Sequence, residues 1–108
     1  MKLFLKNKDT NITESLIEAF ELKTDNTKVI EEHYNKLIKK YDTSGNGNNF
    51  ILVYTKYSKF GVLWEKYKLH FKEFEEIDTK KENIKVIYTK YHNMKISHLF
   101  INFYSNLI

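Results

Sequence analysis

The chain has no arginine, no cysteine, no proline and no glutamine, and Ala19 is its only alanine. The missing cysteine excludes disulfides, thiolate metal sites and a cysteine nucleophile together. Stability must therefore come from packing. The missing arginine bears on function. All 18 permanently cationic side chains are lysine, whereas arginine is the residue that forks onto phosphates and guanines and anchors interface hot spots. Lysine, asparagine, isoleucine, tyrosine and phenylalanine fill the space instead, as an AT-rich coding sequence would dictate. The formal charge of +4 and the pI of about 9.1 thus read first as residue bias and only second as nucleic-acid recognition.

What remains describes a globular chain. A length of 108 residues is close to the commonest size of one domain, and such a chain buries roughly two-thirds of its unfolded surface. A hydrophobic share of 42% with 16% aromatics argues against disorder. Only Leu3, Phe4 and Leu5 are apolar before charge returns at Lys6, where a secretory leader needs about 7–15 apolar residues. The stretch from Ile96 to Ile108 is interrupted by Ser97, His98, Asn102, Ser105 and Asn106, far short of the roughly 20 apolar residues of a membrane span. These features predict a cytoplasmic protein without a membrane segment.

Patterning predicts the elements. Leu3-Phe4-Leu5 reads as a short strand. Thr10 and Asn11 are N-cap residues with Glu14 at capping-box spacing, and Ile12, Leu16, Ile17 and Phe20 predict a helix to about Lys23. Asp25-Asn26-Thr27 is a second cap cluster, after which Ile30, Tyr34, Leu37, Ile38 and Tyr41 mark the apolar face of another helix. The segment Ser44–Asn49, rich in glycine and asparagine, stops it. Phe50–Tyr54 suits a strand buried on both faces, and Ser58-Lys59-Phe60-Gly61 a hairpin turn. Residues 63–72 fit two patterns: Trp64, Tyr67, Phe71 and Phe74 a helix stripe, or Leu63, Tyr67, Leu69 and Phe71 an alternating strand. Leu69 would lie on the wet side of the helix, which favours the strand. Asp78–Asn83 is a polar connection, Ile84–Tyr91 a strand, His92–Lys95 a turn, and Ile96–Tyr104 a last strand. The predicted fold is α+β and two-layered: β-α-α followed by an antiparallel meander, with two helices on one face of a sheet of about five strands.

Val53-Tyr54-Thr55-Lys56-Tyr57 and Ile87-Tyr88-Thr89-Lys90-Tyr91 nearly coincide. Tyrosine and lysine are so common here that chance, or parallel use of strand-end residues, explains the match better than a duplicated unit.

No pattern composes a catalytic centre. His33, His70, His92 and His98 lack metal-ligand spacing. The carboxylates at Glu31-Glu32 and within Glu73–Asp78 have lysine neighbours and read as solvated surface, and Gly45-Asn46-Gly47 is not a phosphate loop. A non-enzymatic protein without cofactor or metal is expected. The strongest functional signal is a set of aromatic and lysine residues on predicted strands: Tyr54, Lys56, Tyr57, Trp64, Tyr67, Tyr88, Lys90 and Tyr91. Such a set offers large contact area with polar handles for binding a protein, or stacks bases and neutralises phosphates on single strands; half of the rings could equally fill the core. Glutamates interrupt the lysines, so protein binding leads. The expectation is a small binding module that neutralises or inhibits another protein (a toxin, nuclease or host factor), as bacterial immunity proteins and phage or mobile-element inhibitors do. That analogy rests on size and composition alone. A lysine/tyrosine nucleic-acid binder with little sequence preference is the alternative, and a homodimer through the same patch is compatible with either.

Overall fold

A computed structural model describes residues 2–6, 13–41, 47–56 and 58–103. Within them the order is β1 (Lys2–Lys6), β2 (Thr13–Glu21), α1 (Thr27–Tyr41), β3 (Gly47–Thr55), α2 (Phe60–Lys68), β4 (Glu75–Ile77), β5 (Ile84–Tyr91) and β6 (Met94–Asn102). The strands form one mixed sheet in the order β1-β2-β3-β6-β5-β4. β3 runs parallel to both β2 and β6, and the other neighbours are antiparallel.

Both helices pack on one face of this sheet, as the α+β expectation has it. From α1, His33 stacks on Phe20 of β2 with centroids 4.3 Å apart, and Tyr34 reaches His98 of β6. From α2, the rings of Phe60, Trp64 and Tyr67 all lie within 5.3 Å of the Phe100 ring on β6. The register sets Leu16, Glu18 and Phe20 beside Asn49, Ile51 and Val53, and these beside Ile96, His98 and Phe100. Those positions are buried, as is Ala19 on the other side of the sheet, opposite Leu52. The cap cluster at Asp25–Thr27 acts as predicted: the Asn26 side-chain oxygen accepts the Val29 N–H at 3.2 Å, satisfying a donor that the first helical turn leaves open.

Three expectations are corrected. The helix expected over residues 12–23 is strand β2; its cap residues Thr10 and Asn11 lie outside the described residues. Leu16 and Phe20 are four apart, which suits one helical turn and two strand repeats alike, and pairing with β1 and β3 selects the strand. The strand expected to Lys72, with its hairpin turn at 58–61, is instead α2. Phe60, Leu63, Trp64 and Tyr67 are its buried stripe at helical spacing. Leu69 is 81% exposed just beyond the helix, and a single exposed leucine is ordinary. Third, the meander survives only as β4-β5-β6, because the central β3–β6 pair is parallel.

The core also contains polar groups. His98 is fully buried, with Nδ1 2.7 Å from the Tyr67 hydroxyl and Nε2 2.8 Å from the Thr89 hydroxyl. One ring nitrogen donates and the other accepts, so the neutral imidazole is satisfied at both ends. Burial lowers its pKa to about 3. At the same end of α2, the adjacent Lys68 ammonium bridges Glu65 and Glu76 at 3.0 and 2.9 Å. The Trp64 indole N–H donates to the second Glu76 oxygen, and these contacts tie α2 to β4. The ammonium holds the Glu76 carboxyl below the ordinary carboxylate range.

Candidate binding face

Side chains alternate across a strand, so the positions between the buried ones emerge on the opposite side. There β3 carries Phe50, Leu52 and Tyr54; β6 carries Lys95, Ser97, Leu99 and Ile101; β5 carries Ile84, Val86, Tyr88 and Lys90. Ile17 of β2 lies opposite Phe50, and Leu52 lies opposite Leu99, which in turn lies opposite Val86. Apart from the exposed Lys90, these side chains are half-buried, and Phe103 beyond β6 is 56% exposed. No described helix packs on this side. The sheet therefore presents an aliphatic centre, Leu52-Leu99-Val86, flanked by the rings of Phe50, Tyr54, Tyr88 and Phe103.

Charge is confined to the margins. Glu21 lies opposite Tyr54 at one corner. At the diagonally opposite corner Lys90 faces Lys95 directly across the β5–β6 pair, and Glu75 of β4 faces Tyr88. The Lys95 ammonium lies 3.8 Å from the centroid of the Tyr88 ring, a cation–π distance.

The residues predicted to form the site divide. Tyr54, Tyr88 and Lys90 are on the open face, with the exposed Lys56 just past the end of β3. Tyr57 lies outside the described residues. Trp64 and Tyr67 are corrected: they are 2% and 0% exposed, in the core beneath α2, because the segment is a helix whose stripe faces the sheet. Tyr91 is corrected too, for its position in β5 falls on the helix side, where it packs against the core. The near-repeat has a structural sense without duplication. In both copies the Val53/Ile87 and Thr55/Thr89 positions turn to the core while Tyr54 and Tyr88 turn outward. The two strands nevertheless run in opposite directions, each beside β6.

Sequence reasoning missed Leu52, Leu99, Ile101, Phe50 and Val86. For Phe50 and Leu52 the signal was the doubly apolar run Phe50–Tyr54, which reads as a strand covered on both faces. One face is covered by the helices and the other is bare of them. The remaining titratable groups are spread apart: His33 meets Glu18 at 2.8 Å, His70 meets Asp25 at 2.7 Å, and among the described residues no three metal-ligating side chains converge. No described helix is long and apolar enough to cross a membrane. Comparison with protein-family models, with curated proteins and with solved structures finds no match for the chain.

Proposed function

We propose that this chain is a non-enzymatic protein-binding module that covers a functional surface of a partner protein with the helix-free face of its sheet. The observation that carries this is the apolar run across four strands, from Ile17 through Phe50 and Leu52 to Leu99 and Val86, with no described helix over it. Four strands at about 4.8 Å spacing and about 3.3 Å per residue span roughly 500 Å² in projection. That is the scale of a standard interface, which buries about 800 Å² of accessible surface per partner. An aliphatic centre with charge at its corners also has the anatomy of such an interface. The partner is accordingly a protein with an apolar patch of similar extent. The functional type is that of a neutralising binder: an immunity protein, or a phage or mobile-element inhibitor.

A lysate pull-down from the native host tests this with three baits: the wild-type chain, Leu52→Lys, and Lys56→Glu/Lys90→Glu. The expected result is one protein captured by the wild type and by the lysine double variant. Capture should withstand nuclease and about 0.5 M salt, where phosphate contacts are largely screened. It should be lost with Leu52→Lys, which must keep a wild-type circular dichroism spectrum; Leu99→Lys repeats the test at a second position. Equal capture by the Leu52 variant overturns the reading. Loss on nuclease treatment turns the lysines into a nucleic-acid site. Light scattering that finds a dimer broken by Leu52→Lys puts a second copy on the face instead.

A further inference from the structure

At the end of the β4–β5 pairing, where Glu75 lies opposite Tyr88, a cavity of about 550 Å³ is lined by Glu73, Phe74, Glu75, Tyr88, Thr89, Lys90 and Lys95. This lies within the roughly 300–1,000 Å³ range of ligand clefts. Its walls differ in charge. Glu75 is on β4 and Glu73 in the segment leading to it, whereas Lys90 and Lys95 belong to β5 and β6. Two rings line it as well: Phe74, 39% exposed, and Tyr88, over which Lys95 is folded.

Three observations separate this corner from ordinary solvated charge. Lys90 and Lys95 are placed directly opposite each other, an arrangement that is unfavourable unless something negative joins them. None of the four charges is ion-paired among the described residues, although acid and base line one cavity. Elsewhere the chain does pair such groups, as Lys68 with Glu65 and Glu76 shows. Finally, Tyr88 belongs both to the cavity and to the open face, where it lies opposite Ser97 of β6.

The geometry points to a site for a dipolar peptide segment. Its cationic side chain meets Glu73 and Glu75, its anionic side chain meets Lys90 and Lys95, and an apolar residue between them lies against Phe74 and Tyr88. A simple anion fits less well, because the two glutamates oppose it. A simple cation meets the two lysines in the same way. The proposal rests on the protein-binding reading, since the segment belongs to the protein that covers the open face, and it gives that protein a recognisable chemistry.

The test is a ¹H–¹⁵N NMR titration of the full chain with blocked tripeptides. The probes are acetyl-lysyl-leucyl-aspartyl-amide and its reversed sequence, with versions in which alanine replaces either charged residue. Expected are shifts confined to Phe74, Tyr88, Lys90, Lys95 and their neighbours, with each singly charged probe binding about threefold or more weaker than the better dipolar one. Glu73→Gln/Glu75→Gln should weaken the dipolar probe and strengthen the aspartyl-only probe; Lys90→Gln/Lys95→Gln should weaken the dipolar probe and strengthen the lysyl-only probe. If the aspartyl-only probe binds as tightly as the dipolar one and Glu→Gln strengthens both, the corner is a plain anion site and the proposal fails. Absence of shifts at the corner also overturns it. The Leu52→Lys chain separates the two readings. Peptide binding that persists there while partner capture also persists removes the face and keeps the corner. Capture abolished there, with no peptide bound by any chain, removes the corner and keeps the face.

Discussion

His98 makes the fold sensitive to acid, and the effect can be sized from its surroundings. The imidazole is fully buried on β6 between the Tyr67 and Thr89 hydroxyls, with the Tyr34 and Phe71 rings against it. None of these groups is an anion that could stabilise an imidazolium. Burial holds its pKa at about 3 in the folded chain, against about 6.5 when unfolded. The unfolded chain therefore binds the proton more tightly, and stability falls as pH drops below about 6.5 and approaches about 3. One pKa unit is about 1.4 kcal/mol, so acidification from about pH 7 to about pH 4 should remove about 3 kcal/mol through this residue. That is a large share of a typical stability of about 5–15 kcal/mol. The assay is urea unfolding at several pH values for the wild type and His98→Gln. Glutamine keeps a donor and an acceptor but does not titrate. At neutral pH the variant should be weaker by about 1–3 kcal/mol, from imperfect replacement of two buried hydrogen bonds. Its stability should then decline more gently than that of the wild type, the two curves converging as pH falls. Carboxylates such as Glu76 contribute equally to both curves and cancel in the difference. Parallel curves between pH 7 and pH 4 would refute a buried, neutral His98.

Trp64→Ala should cost about 3–5 kcal/mol, the penalty of emptying a buried aromatic site, and should release the Glu76 oxygen that the indole holds; chemical denaturation measures it. Where that variant is still folded, it should capture the partner at wild-type strength, because the ring lies on the helix side of the sheet. Asn26→Ala should lower stability by about 1 kcal/mol through loss of the α1 cap, seen as a lower thermal midpoint with an unchanged native spectrum.

Patterning along the chain was enough for the α+β class, for α1 with its Asn26 cap, and for the strands at β1, β3, β5 and β6. α1 has both a cap and a helical stripe, whereas β1 and β3 are short apolar runs rich in strand formers and bounded by polar or glycine-containing segments. It also placed Tyr54, Tyr88 and Lys90 on strands, and its lack of cysteine excluded disulfides and thiolate metal sites before any fold was known. Tertiary structure decided what local spacing left degenerate. Leu16 and Phe20 suit helix and strand alike, and only the neighbours β1 and β3 make residues 13–21 a strand. The stripe Phe60-Leu63-Trp64-Tyr67 is helical, but an exposed Leu69 misdirects any reading that expects every leucine to be buried. Most of the candidate face was hidden for a related reason. A strand that is apolar on both sides does not say which side meets the helices. That is settled by pairing between distant segments, Leu52 beside Leu99 and Val53 beside Phe100, and by two helices that close over the second pair and leave the first open.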